Sequence, residues 1–296
     1  MDVSSRSEEA DVMLKGATLL ELRQLLHNHL EKGRLEHFGR VRTAWVQAAE
    51  DSFWDESHQK WRLDLLVRHG VIPGRHRILD LASGCGQFVL LALREGFECH
   101  GLEPDTWRRA FVKRKIELSG DPIAWKTMFH GGFGEDVPFE NDSFDYVTSY
   151  QTLEHVSNPK AVIAEMVRVT RIGGGIHIMC PDYRSSFEGH YQLPWLPLFP
   201  RSFARAYLRL LGRPTKGLDT IQYTTRPRIF SWIAQAETGK HFLVFDEDRV
   251  TFENALRRRR WPNIAGAYVV WSLWRGAARI GRAERSVSLF IRILRK

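Results

Sequence analysis

The sequence predicts an α/β fold in which a mostly parallel sheet lies between two layers of helices. Between residues 76 and 180, short apolar segments alternate with segments of helical periodicity. The apolar segments are continuous runs, which is typical of parallel strands that are buried on both faces. A tight glycine turn follows the first of them, in the stretch "LDLASGCGQF" at 79–88. With right-handed connections, this order gives a three-layer, Rossmann-like sandwich.

Seven segments have the apolar character expected of strands and complete one sheet. They are "RILDLA", "FECHGLE", "IAWKTMF", "FDYVTSY", "GGIHIMC", a segment near 241–246 and the last segment at 286–294. Helices are predicted after the first, second and fourth of these segments, and a further helix is predicted near 226–237. The sheet is therefore expected to be seven-stranded and mostly parallel.

A helical extension is predicted before the sheet. Leucines recur at helical spacing in 19–30, and another helix over roughly 56–69 ends at Gly70. We expect residues 1–58 to form this N-terminal helical extension and residues 59–296 to form the main domain.

Two insertions are expected to interrupt the main domain. The first, 182–225, follows strand 5 and contains "HYQLPWLPLFP", in which proline, aromatic and histidine residues show no clean period. Because long irregular stretches in compact domains usually serve a function, we interpret this insertion as a lid. The second, 250–284, lies between strands 6 and 7 and contains a basic amphipathic segment.

Positive charge is concentrated at the end of the chain. The net charge is +8, and residues 257–296 hold eleven arginines or lysines against one acid. In "AGAYVVWSLWRGAARIGR", Arg275, Arg279 and Arg282 share one helical face. Such a helix either lies on an anionic membrane surface or packs on the domain with its arginines in water. Nucleic acid is the third candidate, because no recognisable RNA-binding module accompanies "RRRR" at 257–260.

The composition is that of an ordinary globular protein. Hydrophobic residues make up 43% and charged residues 26% of the chain, and no run reaches the ~20 apolar residues of a membrane span. The polar, acidic start is unlike a secretory signal. Cys85, Cys99 and Cys180 have neither disulfide nor metal-ligand spacing. We therefore expect a cytoplasmic protein without a metal site, associated with the inner face of the membrane if the basic segment binds lipid.

The glycine turn is the first candidate binding site. Gly84 and Gly86 allow a tight turn, and a strand followed by such a turn and a helix directs backbone N–H groups at a ligand. Val89 replaces the third glycine of a dinucleotide fingerprint and no G-K-[ST] follows, so neither an NAD or FAD loop nor a P-loop is indicated. Glu103 ends the second strand, seventeen residues after Gly86, where a carboxylate can accept both ribose hydroxyls of an adenosine ligand.

Several motifs resemble, in order, those of class I S-adenosylmethionine (SAM) methyltransferases. "DLASGCG", from Asp80 to Gly86, resembles their first motif, D-x-G-x-G-x-G, and Glu103-Pro-Asp resembles their second. The stretch "GEDVPFENDSFDYVTSYQTLEHVSNPKAVIAEMVRVTRIGGGIHIMCPDY" is similar over its whole length to the downstream part of the family. The resemblance covers about residues 60–183 and implies a SAM-dependent methyltransferase of the methyltransferase-11/-23-like type.

The resemblance also implies roles for individual residues. The glycine loop would hold the methionine part of SAM, Glu103 would bind the ribose, and Pro104 would lie near adenine. Glu135–Asp136 would flank the adenine edge, and Tyr150 with Gln151 would line the methyl-transfer pocket. The implied SAM-binding residues are Asp80, Ala82, Ser83, Gly84, Gly86, Glu103, Pro104, Glu135, Asp136, Tyr150 and Gln151.

Two positions depart from the family pattern. Ala82 replaces the first glycine of the motif, which should cost little stability if its backbone lies in an ordinary region. Phe133 stands where relatives often carry an acid, so the adenine contact at that position would come from the backbone alone.

Two histidines are the candidate catalytic bases. An alcohol acceptor benefits from a base that takes its proton during methyl transfer, and histidine is the usual choice. The candidates are His155 in "LEHV" and His190 with Tyr191 in "EGHY", and Glu188 and Tyr183 are weaker ones. Both histidines also have a structural interpretation, His155 in the following loop and His190 as a staple of the lid.

Three functions are compatible with these motifs. The first is methyl transfer from SAM to a hydroxyl of a small molecule or glycan, since the lid loosely resembles inserts in bacterial methyltransferases of surface-polysaccharide and specialised-metabolite pathways. A lipid-linked sugar would account for the lid and the basic segment together. The second is carbon methylation of a quinone-like acceptor, because the core also resembles quinone methyltransferases. The third is a catalytically silent SAM-binding protein.

Overall fold

The computed structural model describes residues 14, 16–39, 43–236, 239–247 and 286–295. The basic insertion predicted at 250–284 lies outside the described residues, as do the first residues of the N-terminal extension. The membrane and nucleic-acid hypotheses for 257–296 therefore stay predictions. Within the described ranges, no helix is long and apolar enough to cross a membrane.

The described part of the chain alternates helices and strands in the predicted order, except that most of "IAWKTMF", predicted as the third strand, forms a 3-10 helix and the strand follows it. Its α-helices are α1 (Leu19–Phe38), α2 (Thr43–Trp54), α3 (Lys60–Arg68), α4 (Gln87–Arg94), α5 (Thr106–Ser119), α6 (Pro159–Val169), α7 (Arg201–Leu210) and α8 (Arg226–Ala234). Short 3-10 helices are Glu56–Gln59, Ile123–Met128 and Lys216–Thr220. Its strands are β1 (Arg77–Leu81), β2 (Glu98–Leu102), β3 (Phe129–His130), β4 (Phe144–Tyr150), β5 (Thr170–Pro181), β6 (Phe187–Glu188), β7 (Leu193–Pro194), β8 (Lys240–Asp246) and β9 (Ser286–Arg295).

Seven strands form the main sheet in the order β3-β2-β1-β4-β5-β9-β8. The pairs among β1 to β5 are parallel, whereas β9 runs antiparallel to both β5 and β8. The predicted α/β class and the mostly parallel seven-stranded sheet are therefore confirmed. Because β1, β2, β4 and β5 run in one direction, their carboxyl ends meet at one edge of the sheet.

Local signals explain where several helices begin. Thr18 and Glu21 form a capping box at the start of α1, in which each side chain bonds to the other residue's backbone. The Asp105 side chain accepts from the amide of Trp107 at the start of α5. At α6, Asn158 caps the helix and Pro159 occupies its first turn, where a missing N–H costs nothing.

Apolar side chains fill both faces of the sheet. Because residues alternate along a strand, Leu79 and Leu81 of β1 face the layer of α6 and α8, whereas Ile78 faces the layer of α3 and α4. Both faces of the sheet are covered by helices, which is why polar residues do not alternate with apolar ones along its strands.

The lid is more regular than its sequence suggests. It contains the β6–β7 hairpin and α7, whose side chains pack with Phe38 of α1 in a cluster that includes Tyr191, Trp195 and Leu208. The apolar residues of the lid contact a helix that is distant in the chain, so their spacing follows no local period. The N-terminal extension and the lid consequently share one small core.

Candidate active site

The predicted SAM-binding residues gather at the carboxyl edge of the sheet. The loop from Ala82 to Gly86 follows β1, Glu103 follows β2, and Gln151 follows β4. The loop is held by backbone bonds, since Ser83 N donates to Leu102 O at 3.0 Å and Gly86 N donates to Ser83 O at 3.0 Å. The edge thus presents a fixed turn beside the end of a neighbouring strand.

Gly86 is needed for packing as well as for its backbone conformation. Its φ is +77°, and an added Cβ would lie 2.5 Å from Val112 Cγ2 and 2.6 Å from Phe129 Cε1. Gly84 also has a positive φ of +59°, but an added Cβ there would meet only Phe53 at 3.4 Å and Gln87 at 3.8 Å. The loop is therefore tightly packed beneath Gly86 and roomier at Gly84, which suits the approach of a ligand.

Ala82 does not have the ordinary backbone that was expected from the sequence. Its φ is +59°, in the left-handed region that favours glycine. That conformation explains why the family has glycine at this position. An alanine that adopts it lowers the free energy of unfolding by about 1 kcal/mol. The expectation of a strain-free replacement was wrong, because a residue letter does not reveal the φ that its turn imposes.

Glu103 links the glycine loop to the second strand. Its carboxylate is 3% exposed, and it accepts from Gly84 N at 2.8 Å through Oε2 and from Asp105 N at 3.0 Å through Oε1. Arg108 lies 3.9 Å from the same carboxylate. Each carboxylate oxygen can accept a further hydrogen bond, so Glu103 can bind two adjacent hydroxyl groups. Pro104, the next residue, is exposed beside it.

Asp80 is buried and paired with an arginine of α3. Its Oδ1 accepts from Arg62 Nη2 at 2.6 Å, and both side chains are 3% exposed. Arg62 also donates to Thr148 Oγ1 and lies 4.2 Å from the Phe88 ring centroid. Burial raises the pKa of Asp80, and Arg62 opposes that rise. Asp80 thus pairs with Arg62 just before the loop, and its implied place among the SAM-binding residues stays a prediction.

Glu135 and Asp136 have different surroundings. Glu135 Oε1 accepts from Ser157 N at 2.9 Å and from Asn158 N at 3.2 Å, so it stabilises the start of α6. Asp136 is exposed, and the neighbouring Phe133 side chain is 66% exposed. Two backbone amides therefore bind Oε1 of Glu135, and an adenine contact from this residue stays a prediction.

Tyr150 and Gln151 lie at the end of β4 as predicted. The Tyr150 ring centroid is 5.0 Å from the Arg62 guanidinium and 5.6 Å from the ring centroid of Trp61. Gln151 has a φ of +52°, and its amide donates to Met179 O at 2.8 Å. These contacts hold the backbone after β4 in one conformation beside the glycine loop.

His155 and His190, which lie 35 residues apart, are brought together by the fold. Their Nε2 atoms are 3.2 Å apart, and we call these two residues the histidine pair. His155 Nδ1 lies 3.2 Å from Thr220 O, and His190 Nδ1 lies 2.7 Å from Glu188 Oε1. Burial raises the pKa of Glu188, but hydrogen bonds from His190 and from backbone amides outweigh burial, and the pKa lies below its usual value.

The histidine pair belongs to the same electrostatic neighbourhood as Glu103. Desolvation by surrounding protein, followed by the charge of His190, lowers the pKa of His155 to about 4. Arg108, which lies beside Glu103, contributes to the same lowering. His155 retains exposed surface despite this crowding. A neutral imidazole therefore faces solvent close to the predicted SAM-binding edge.

Tyr191 is part of the lid core. Its side chain is 1% exposed and packs edge-on to Phe38 at 5.1 Å, and burial raises its pKa to about 12. Its backbone amide, rather than its hydroxyl, serves the site, because it donates to Glu188 Oε2 at 2.5 Å. The Tyr191 hydroxyl is thus buried within the lid core, and a direct catalytic role for it stays a prediction.

Three groups at the site were missed in the sequence. Arg62 comes from α3, and Arg34 and Phe38 come from the end of α1. Arg34 Nη1 donates to His190 O at 3.1 Å, and the Phe38 ring stacks 5.3 Å from that of His190. Their local sequence does not identify them as site residues. The partners of Arg34 and Phe38 lie more than a hundred residues away in the chain, and the partner of Arg62 lies in the sheet.

Comparison with known proteins agrees with this geometry. Residues 79–178, from β1 to β5, match a family model described as a methyltransferase domain. Residues 79–178 therefore have the sequence pattern of a methyltransferase domain. An uncharacterized methyltransferase from Mycobacterium leprae is 29% identical over 182 residues, which cover 61% of this chain and 61% of that relative. The chain thus spans less than two thirds of that relative's length.

Two further proteins resemble the methyltransferase domain. A demethylmenaquinone methyltransferase from Geobacillus kaustophilus is 30% identical over 160 residues, which cover 51% of this chain and 66% of that relative. The solved structure of Haemonchus contortus phosphoethanolamine N-methyltransferase 2 with SAM has a TM-score of 0.50 and 18% identity, covering 80% of this chain and 53% of that one. At this identity the structural likeness supports the fold alone.

Proposed function

We propose that the chain binds SAM and transfers its methyl group to a hydroxyl of a small molecule or glycan. One observation carries the proposal: the buried Glu103 carboxylate bonds to the amide of Gly84 within the glycine loop of a methyltransferase domain. The Glu103 carboxylate would accept hydrogen bonds from the ribose hydroxyls, and N–H groups of the loop would approach the methionine part of SAM. The solved relative in complex with SAM has the same fold.

The residues present fit SAM. The room above Gly84 admits a ligand close to the backbone, and Glu103 retains acceptor capacity for two hydroxyls. When bound, SAM supplies a methyl group that is already electrophilic because it is attached to a sulfonium. The chain's contribution is to align the acceptor in line with that methyl group and to exclude water.

The acceptor side of the site is proposed to lie at the histidine pair. His155 follows β4 and His190 belongs to the lid, so both are placed where an acceptor would enter between the sheet edge and the lid. Phe38 and Arg34 of α1 fix the lid residue from the other side. A hydroxyl acceptor loses its proton during transfer, and polar groups at this position would assist that loss.

A quinone-like acceptor methylated at carbon is the second candidate. The Geobacillus kaustophilus relative, named a demethylmenaquinone methyltransferase, favours it at 30% identity. In that case the acceptor carbon is already activated, and the histidine pair would mainly orient the ring.

Transfer of a labelled methyl group distinguishes these candidates. The purified full chain is incubated with SAM carrying a ¹³C methyl, together with glycan, small-alcohol and quinol acceptors and a crude cell extract. We expect a labelled product whose methyl carbon resonance is that of a methyl bound to oxygen. A resonance of a carbon-bound methyl would replace the first candidate by the second. SAM binding without label in any fraction would contradict both and leave a silent SAM-binding protein.

A further inference from the structure

The two imidazoles of the histidine pair face each other through their Nε2 atoms. His155 Nδ1 lies against the carbonyl oxygen of Thr220, and His190 Nδ1 lies against the Glu188 carboxylate. Both partners only accept hydrogen bonds, so each Nδ1 carries the hydrogen and each Nε2 of a neutral ring presents a lone pair. The two Nε2 atoms are 3.2 Å apart. Two lone pairs at that distance repel unless a cation lies between them, either a proton carried by one ring or a metal ion.

We propose that this cation is a divalent transition-metal ion bound by His155, His190 and Glu154. One donor atom from each of these three residues lies within 4.8 Å of the others. Two imidazole nitrogens at ~2.05 Å from a tetrahedral zinc ion are ~3.3 Å apart, close to the observed Nε2 separation. Two imidazoles and one carboxylate form a donor set that suits Zn²⁺ and related ions and does not suit Mg²⁺.

The groups behind the ligands support the same interpretation. Glu188 is 2% exposed, and it holds His190 through Nδ1 as carboxylates commonly hold metal-binding histidines. Thr220 O holds His155 through Nδ1 in the same way. The amide of Tyr191 fixes the second oxygen of Glu188, so the His190 ring is oriented before any ion arrives. The sequence predicted no metal site, because residues 35 apart in the chain show no ligand spacing.

The ion would connect the lid to the sheet edge and bind the acceptor. Glu154 and His155 follow β4, whereas His190 lies between the strands of the β6–β7 hairpin. Three protein ligands leave an open coordination position, which suits the hydroxyl oxygen of the acceptor in the proposed function, on which this step rests. The ion would lower the pKa of that hydroxyl; its proton leaves to water, the oxygen–methyl bond forms, and the carbon–sulfur bond breaks with its electron pair on sulfur.

Zinc binding to the full chain tests this proposal. The chelator-treated protein is titrated with Zn²⁺ against a competing chromophoric chelator, and the visible spectrum of a Co²⁺ complex reports imidazole coordination. We expect one Zn²⁺ per chain, no displacement by Mg²⁺, and loss of this binding in His155→Gln and His190→Gln. Glu188→Gln should weaken binding by about 10–100-fold, because it removes the charge behind His190. His241→Gln, at an exposed histidine on β8, is the matched control and should bind normally.

Two results would overturn the metal site. One is no Zn²⁺ binding by a folded protein, which would mean that the histidine pair shares a proton. The other is equal Zn²⁺ affinity in the wild type and His190→Gln, with thermal unfolding confirming that the variant is folded. A parallel titration with SAM separates this proposal from the proposed function: SAM binding without zinc binding contradicts only the metal site, and zinc binding without SAM binding contradicts only the methyl transfer.

Discussion

Ala82 carries backbone strain at the turn that follows β1. Its φ of +59° lies where a Cβ approaches the following carbonyl oxygen. The same loop places Gly84 and Gly86 at positive φ without that penalty. A residue at the binding edge is therefore less favourable locally than the glycine typical of the family, and the surrounding hydrogen bonds keep the turn in place.

Replacing Ala82 by glycine should stabilise the protein. Ala82→Gly removes the left-handed penalty, and we expect the free energy of unfolding to rise by about 1 kcal/mol. Urea unfolding measures the change. Ala48→Gly, at an exposed position within α2, is the matched control and should lower the free energy of unfolding by about 1 kcal/mol. A fall in stability in Ala82→Gly would contradict the backbone assignment.

Single residues differ in how far the sequence alone could place them. Glu103 was predictable, because the end of a strand beside a glycine turn has a fixed position at the sheet edge. Asp80 was not, because its direction depends on strand alternation and on Arg62 from another element. The role of Glu135 at the start of α6 was hidden for the same reason, since its partner amides lie 22 and 23 residues further along.

At the level of elements, α3 is joined to β1 by a buried ion pair. Arg62 and Asp80 are 2.6 Å apart and almost fully buried, and Thr148 of β4 also binds the guanidinium. The Arg62 guanidinium of α3 therefore binds side chains of both β1 and β4. Removing one member of such a pair leaves a buried charge without its counterion, which is more costly than removing both.

A double-mutant cycle on this pair should show strong coupling. We expect Asp80→Ala and Arg62→Met each to lower the free energy of unfolding by about 3–5 kcal/mol, and the double variant to lower it by much less than their sum. Urea unfolding of the four proteins measures the cycle. Asp64→Ala is the control, because it removes an exposed i,i+4 pair with Lys60 on the same helix and should cost under about 1 kcal/mol. Additive losses in the cycle would contradict a direct interaction.

The lid shows which elements are hard to predict. Its helix α7 and hairpin pack on α1, whose Phe38 touches both Tyr191 and His190. Most strands and helices of the sheet were predictable, because parallel strands are continuous apolar runs whatever their neighbours; the exception is the two-residue edge strand β3, which is too short to show such a run. The lid was not, because its order comes from contacts with the N-terminal extension, and the same contacts create the histidine pair.

For the whole molecule, the sheet order brings the candidate site to one edge. The glycine loop, Glu103 and the end of β4 meet there, and the lid adds His190 beside His155. Occupation by SAM should also be visible in global stability: at a hundredfold excess over Kd, a ligand that binds only the folded state raises the free energy of unfolding by about 2.7 kcal/mol.

Calorimetric titration of SAM into the full chain tests the central claim most directly. We predict that the wild type binds one SAM and that Glu103→Gln weakens binding by about 10–100-fold, since hydrogen bonds to a charged group contribute about 1.5–3 kcal/mol. Glu98→Gln is the matched control, because Glu98 begins β2 at the opposite edge of the sheet and pairs there with Arg77, and its SAM affinity should stay unchanged. No SAM binding by the wild type, or equal losses in the two variants, would contradict the account.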